Sequence, residues 1–422
     1  MAPENSMSDT IVVIWSRFGP YHLARLYSLA ACAEDARFSI IGLEIAQRDH
    51  YDWDVHAGAD GFRRHTLFPR REYGSLPASV IRSAVVRALE ELRPNAVAVN
   101  GWGVPETRAA IGWCRRNGVA AVLMSETKED DGGGKRVWWK EAVKGQLVRR
   151  CDAALVGGRR QAEYLVKLGF PHERIFIGYD VVDNDYFAQG AARARSDARG
   201  LRNRYRLPER YFFACTRFLP RKNLDGLLRA YGLYRQTCTD APWSLVIAGG
   251  GEEEGRLRRL AAQLVPHTTN AWLDDRQRPI DSLSEDHGKT KTLPHAAADV
   301  HWAGFLQYEQ LPVFFGLASA FIHPALAEPW GLVVNEAAAS GLPLLIARPV
   351  GAGYELLLEG ENGLAFDPGD IDDMARALGR MAGMPEENRA VMGEKSAAIM
   401  AGWSPVRFGE GLLAAVRAAG AI

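Results

Sequence analysis

Two glutamates, Glu328 and Glu336, flank seven residues in the stretch His323-Pro324-Ala325-Leu326-Ala327-Glu328-Pro329-Trp330-Gly331-Leu332-Val333-Val334-Asn335-Glu336. Pro329 and Gly331 forbid one continuous helix through both, so a turn sets their relative position. Backbone N–H groups of Trp330, Gly331 and Leu332 then lie beside a helix N-terminus, a place suited to hydroxyls or anionic oxygens. Taken singly, Glu328 also reads as a surface-loop glutamate and Glu336 as a helix cap. Together with their neighbours they read as a site.

A second segment carries the opposite charge: Thr216-Arg217-Phe218-Leu219-Pro220-Arg221-Lys222-Asn223, after an apolar run and before a helical one. Arg217 offers a planar fork and Lys222 a point charge, and the two can converge on a diphosphate. Arg221 reads as their solvated neighbour. Ala248-Gly249-Gly250-Gly251 ends another apolar run, where glycine permits close backbone approach to a ligand. The acidic runs Glu129-Asp130-Asp131 and Asp274-Asp275 read as solvated loops, so no metal site is expected. The cysteines number five and show no CxxC pair, which fits thiols in a reducing cytoplasm rather than disulfides or zinc.

These residues need a frame, and the frame reads as α/β. Short β-rich runs at Ile11–Trp15, Phe38–Leu43, Ala96–Val99, Ala120–Met124 and Ala153–Val156 alternate with helical patterns at Tyr21–Ala33, Ala78–Leu92 and Glu106–Asn117. The pattern resumes with strands at Tyr211–Thr216, Ser244–Ala248, Phe321–Ile322 and Leu344–Ala347, and with a helix beginning near Asn335 and stopping at Gly341 and Pro343. Such alternation predicts parallel sheets with helices on both faces. Ala188–Gly200 is rich in Ala, Arg and Gly without an apolar period and reads as the domain boundary. Pro266–Val300 is polar and almost aperiodic, either a surface insertion or a lid or partner surface.

A chain of 422 residues suggests two such domains. Hydrophobic residues at 47% and charged residues at 24% belong to a globular protein. Lys+Arg and Asp+Glu are equal at 51 each, so net charge gives no push toward nucleic acid. Residues 1–9 lack the apolar core of a signal peptide. The longest near-apolar run, Leu311–Ile322, falls short of the ~20 residues that cross a bilayer. The expected location is cytoplasmic, with peripheral contact at the inner membrane face as an option. That option rests on 135–150, which mixes basic and bulky apolar residues at helical spacing. It fits a core-facing helix with a solvated basic side, a face on an anionic membrane, or tryptophans lining an acceptor cleft.

The Glu328–Glu336 segment resembles the E-x7-E signature of glycosyltransferase family 4, the retaining GT-B enzymes. The resemblance continues through Val350-Gly351-Ala352-Gly353 and Gly360-Glu361-Asn362-Gly363 to Asp370. It implies a GT-B fold: two Rossmann-like doubly wound parallel-sheet domains facing a cleft. The first domain would be 1–187, completed by a C-terminal helix over 405–422; the second, donor-binding domain would be 201–404. By the resemblance, Glu328 binds donor-sugar hydroxyls and Glu336 the ribose diol, while Arg217 and Lys222 neutralise the leaving diphosphate. Gly249 and Gly250 underlie the base, and Phe305, in the turn Gly304-Phe305-Leu306, contacts it. Trp330, Gly331 and Leu332 offer backbone to the donor.

In the first strand-to-helix loop, Phe18-Gly19-Pro20-Tyr21-His22, Gly19 matches a glycine-rich family loop only in part, and His22 reads as structural or active-site. Many relatives carry a histidine where this sequence has Ser125-Glu126-Thr127, so Glu126 either takes an acceptor-side role or ends a strand.

The function implied is transfer of a sugar from a UDP- or GDP-type donor to a carbohydrate, lipid-linked or small-molecule acceptor. No cofactor is obligatory, and Mg2+ is compatible but not required. The rival readings are a sugar phosphorylase, a nucleotide-sugar epimerase, and a non-catalytic scaffold. Intact Arg217, Lys222, Glu328 and Glu336 argue against the last.

Overall fold

The computed structural model describes residues 9–34, 38–48, 61–131, 137–238, 242–265 and 300–421. The chain divides into two compact units, Met1–Asp183 with Gly402–Ile422, and Asn184–Ala401.

Unit 1 holds the strands β1 (Thr10–Trp15), β2 (Ser39–Arg48), β3 (Arg63–Glu72), β4 (Ala96–Asn100), β5 (Ala120–Ser125), β6 (Ala153–Val156) and β7 (Ile175–Ile177). They form one parallel sheet in the order β3-β2-β1-β4-β5-β6-β7. β1 is buried on both faces, as a central parallel strand must be. Ile11, Val13 and Trp15 pack with Leu26, Leu29 and Phe408, while Val12 and Ile14 pack on the opposite face with Val85, Leu89 and Ile111. The C-terminal helix Pro405–Ala418 lies on the first helix, Pro20–Glu34, with Gly409 packed so closely that a Cβ would come within 2.8 Å of Cys32 Sγ.

β3 escapes the hydrophobic pattern because it is an edge strand, Arg63 to Glu72, with charged residues at both ends. Charge along an edge discourages pairing with another chain and also hides the strand from an apolar period.

Unit 2 holds β8 (Tyr211–Cys215), β9 (Ser244–Ala248), β10 (Val300–Gly304), β11 (Ala320–His323), β12 (Leu344–Ala347) and β13 (Gly363–Phe366). These too are parallel throughout, in the order β10-β9-β8-β11-β12-β13.

The segment 188–200 is not a linker. It lies in two helices, Asn184–Ser196 and Ala198–Tyr205. Its small residues make a close helix crossing with Leu311–Leu317: a Cβ on Gly190 would stand 2.5 Å from Pro312, and one on Gly316 2.8 Å from the Ala191 Cα. Phe187, Ala191 and Ala194 are buried there. Alanine and glycine do the work that leucine periodicity advertises elsewhere, so the pattern was invisible. Of the polar stretch Pro266–Val300, residues 266–299 lie outside the described residues, as do Asp274 and Asp275.

Candidate active site

Each sheet reverses its strand order once, β1 against β4 in unit 1 and β8 against β11 in unit 2. In open parallel sheets ligands bind beyond the strand C-termini at this reversal, where neighbouring loops part. Arg217 and Lys222 follow β8, Gly249 and Gly250 follow β9, Phe305 follows β10, and Glu328 follows β11. Four adjacent parallel strands therefore deliver these residues to one edge of unit 2.

The reversal in unit 2 is bridged by charge. Lys222 Nζ donates to Glu328 Oε2, with both side chains almost buried. His323 Nε2 lies 3.1 Å from the same oxygen. Burial alone would raise the Glu328 pKa; the His323 hydrogen bond and the Lys222 charge outweigh it and hold the carboxyl at about 2. Burial likewise lowers the pKa of His323, with its bond to Glu328 pulling the other way. The imidazole is thus neutral at neutral pH and, since a carboxylate only accepts, carries its proton on Nε2. Its Nδ1 is buried with no hydrogen-bond partner among the described residues. Among those residues Glu328 Oε1 meets only the Arg221 guanidinium, at 3.7 Å, and is the oxygen best placed to accept from a hydroxyl.

Arg221 is more than a solvated neighbour. Its guanidinium also donates to the Ala327 carbonyl at 3.3 Å, and its own carbonyl accepts from Leu326 N–H at 2.9 Å. Asn223, in the left-handed region at φ 56, donates to the carbonyls of Pro324 and Pro368. The cationic loop and the glutamate loop are therefore stitched together backbone to side chain. Arg217 projects to the surface from the same loop.

The helix bearing Glu336 runs Leu332–Ala339, starting three residues earlier than the sequence suggested, with Gly331 at its N-cap and φ 98. Glu336 is consequently a buried second-turn residue and not a cap. A side chain at 331 would stand 3.2 Å from Glu328 Cγ and 3.6 Å from His323 Nε2, so glycine here keeps the pair uncrowded. The charges of Glu336 and Lys222 both act on the Cys215 thiol at the end of β8, whose pKa burial raises first, Glu336 raises further and Lys222 lowers. Glu336 therefore sits near the same reversal. The Trp330 indole is fully buried and donates to Asn335 Oδ1 at 2.8 Å, a strut under the turn, leaving only its backbone to meet a ligand.

The glycines after β9 need a different reason from the one the sequence offered. Gly249 has φ 127, and a Cβ there would collide with the Thr216 carbonyl; Gly251, at φ 152, would meet the Phe218 carbonyl at 2.7 Å. Both let the β8 loop pass over the β9 turn. Gly250 alone has ordinary space, and Phe305 is a half-exposed aromatic beside it in strand order.

In unit 1 the reversal is bridged by Ser16, whose hydroxyl donates to the buried Glu106 at 2.5 Å; Tyr73 OH donates to the same carboxylate at 2.9 Å. Buried Glu44 accepts from Phe18 N–H, Arg64 and Thr66, which fixes the loop containing Gly19. Sequence reasoning missed Glu106 and Glu44, because a single acid in a strand or at a helix start has no signature. His22 is structural: its Nδ1 accepts from Gly19 N–H at 2.9 Å, and burial, then Arg25 and Arg17, hold its pKa at about 3. Glu126 is exposed at the end of β5. Asp130 and Asp131 flank the fully buried Lys128 at 2.6 and 3.6 Å, so these acids neutralise an interior ammonium. Among the described residues no cluster of three or more His, Cys, Asp or Glu could hold a metal.

Residues 293–398 match the family described as Glycosyl transferases group 1. Among curated proteins, the chain is 30% identical over 219 residues to the GDP-mannose-dependent alpha-(1-6)-phosphatidylinositol monomannoside mannosyltransferase of Mycolicibacterium smegmatis. That alignment covers 50% of this chain and 47% of the mannosyltransferase, so the chain spans about half the length of this curated relative. Two solved structures match nearly throughout. HepE of Anabaena, in complex with UDP and glucose, gives a TM-score of 0.65 at 14% identity, covering 96% of this chain and 98% of its own. The alpha,alpha-trehalose 6-phosphate synthase of Burkholderia multivorans gives 0.71 at 16%, covering 98% and 97%. At such identities the likeness speaks for architecture alone. The fold is GT-B.

Proposed function

We propose that this chain is a retaining glycosyltransferase of family 4, which moves a hexose from a UDP- or GDP-type donor to a hydroxyl of a carbohydrate, lipid-linked or small-molecule acceptor. The observation that carries the reading is the anionic Glu328 carboxylate, buried and held by Lys222, Arg221 and His323 at the strand-order reversal of unit 2. The Mycolicibacterium relative is GDP-mannose-dependent by name, and the Anabaena structure holds UDP and glucose, which supports a nucleoside diphosphate hexose as donor.

In this reading the anomeric C–O bond to the diphosphate breaks, and the acceptor oxygen bonds to the same face of the sugar. The acceptor proton passes to the departing phosphate oxygen. Lys222 and Arg217 take up the leaving charge, and fixed charge of this kind is commonly the largest catalytic contribution. Glu328 Oε1 accepts from a sugar hydroxyl and orients the ring. Glu336 receives the ribose diol, which a carboxylate can bind through two O–H bonds at once.

The test is nucleoside diphosphate release over a panel of UDP- and GDP-sugars, with and without candidate acceptors, followed by NMR assignment of the product anomer. Acceptor-dependent release with a retained anomer is expected. Donor turnover without acceptor would identify an epimerase, dependence on inorganic phosphate a phosphorylase, and no turnover with intact donor binding a scaffold.

A further inference from the structure

The helix Trp138–Val148 of unit 1 is turned inside out for a surface helix. Its polar pair faces the protein: Tyr164 OH donates to Glu141 Oε2 at 2.7 Å, and Lys144 Nζ donates to Glu141 Oε1 at 2.8 Å. Tyr164 is itself buried. Gly145 and Val148 complete the inward face, with Gly145 so near the Leu168 carbonyl that a Cβ would stand 2.7 Å away. The bulky apolar residues at its N-terminal end and in its middle point to water: Trp138 is 80% exposed, Val143 57%, Trp139 52% and Val137 39%, while only Leu147 and Val148 of its last turn pack on the core. Surface helices ordinarily show the reverse arrangement. Four large apolar residues exposed in one short run mark a surface that meets something.

Charge selects what it meets. Over 137–150 the exposed charges are Lys140, Arg149 and Arg150, all positive. The one acid, Glu141, is turned inward and paired with Lys144. Lys140 Nζ lies 5.6 Å from the Trp139 ring centroid, so cation and indole share one patch. Indoles flanked by lysine and arginine suit the headgroup layer of a bilayer, where the rings take the polar–apolar boundary and the cations meet lipid phosphates. The helix is about 16 Å long at 1.5 Å per residue, half a bilayer core, so it lies in the surface and does not cross.

We propose that residues 137–150 dock this chain on a bilayer containing anionic phospholipids. This goes beyond the sugar-transfer reading and does not depend on it.

The test is flotation of the full chain with phosphatidylcholine vesicles, with and without phosphatidylglycerol, at low and high salt. Binding to the phosphatidylglycerol vesicles is expected, weak on phosphatidylcholine alone and falling as salt screens the cations. Trp138→Ser with Trp139→Ser should weaken binding about tenfold or more. Lys140→Glu with Arg150→Glu should remove the preference for phosphatidylglycerol. All four side chains are exposed, so melting temperature and nucleotide binding should be unchanged in both variants. The proposal is overturned if the wild-type chain fails to float with phosphatidylglycerol vesicles, or if the tryptophan variant floats equally well. Equal binding to both vesicle types would overturn the choice of anionic lipid. Tryptophan-dependent dimerisation without vesicle binding would assign the patch to a second copy of the chain instead.

Discussion

Lys222 donates to Glu328 across the one point where the unit 2 sheet reverses its strand order, joining residues 106 apart in sequence. The contact sets two partly opposed demands on one ammonium. It must compensate a buried carboxylate, and in the proposed reaction it must also meet a phosphate oxygen. An ammonium has three N–H donors, so both are geometrically compatible.

The structural half of that relationship is measurable without substrate. Lys222→Ala leaves Glu328 buried with less compensation, and breaking a buried pair on one side typically costs about 3–5 kcal/mol. Glu328→Gln removes the charge and should tolerate the loss of Lys222 better. In denaturant unfolding, the Lys222→Ala, Glu328→Gln double variant should therefore be more stable than Lys222→Ala alone. Additive losses would mean that the pair is not coupled.

The catalytic half is a kinetic prediction. Lys222→Ala and Arg217→Ala should each lower kcat more than they raise KM for donor, by roughly 10²- to 10³-fold. Because side-chain cations balance the leaving group, turnover should survive exhaustive chelation. Near-normal turnover in either folded variant removes that residue from the diphosphate site. Loss with chelator, restored by one divalent ion, would assign the charge balance to metal.

Glu328 and Glu336 should separate by what they bind. Glu336→Gln is expected to weaken nucleoside diphosphate affinity by about 1–3 kcal/mol, since a charged acceptor for the ribose diol is lost. Glu328→Gln should leave that affinity nearly unchanged while depressing sugar transfer. Calorimetric titration with UDP and GDP distinguishes the two, and the reverse pattern would mean that the roles are exchanged.

Much of this site was legible because its residues are close in sequence and flanked by breakers. Pro329 and Gly331 announce the turn, and Arg217 to Asn223 sit between a strand and a helix. What stayed hidden is what long-range packing decides. Arg221 looked like any loop arginine until the 326–328 backbone closed on it. His323 stood just beyond the Phe321–Ile322 run with no role assigned to it, yet it ends β11 and orients Glu328. The glycines after β9 were read as ligand-facing, but Gly249 is demanded by the Thr216 carbonyl. Helix 184–196 was lost because Gly190, Ala191 and Ala194 pack by being small, and smallness leaves no hydrophobic period.

His22 makes unit 1 sensitive to mild acid. Its pKa is about 3 in the fold against 6.5 when exposed, because burial, Arg25 and Arg17 all disfavour the charged ring. A group with a depressed folded pKa contributes stability that is complete above the unfolded value and is lost as pH falls toward the folded one. Between pH 6.5 and about 5 the loss should reach roughly 2 kcal/mol, before most carboxylates titrate. The measurement is unfolding free energy against pH for the wild-type chain and His22→Gln. The variant should be flatter in this window, and parallel curves would show that His22 protonates without cost.

Glu126 is the place where this sequence departs from the family it resembles, and the structure leaves its carboxylate exposed at the C-terminal end of β5. It is not inert there. Tyr179, whose phenol pKa is raised first by burial, is raised further by the charges of Asp180 and Glu126, with Arg25 opposing. That tyrosine ties the end of β1 to the end of β4, accepting from Trp15 Nε1 at 3.0 Å and donating to Asn100 at 2.9 Å. A role toward the acceptor, accepting from its hydroxyl or offsetting oxocarbenium charge, uses both its exposure and its charge. Glu126→Gln should therefore melt like the wild-type chain and bind nucleoside diphosphate normally, yet transfer sugar far more slowly, with the acidic limb of the pH–rate profile shifted or gone. Wild-type transfer and an unchanged profile in the folded variant would remove Glu126 from the mechanism. Attention would then pass to Glu106, the buried acid that holds Ser16 and Tyr73 at the strand-order reversal of unit 1.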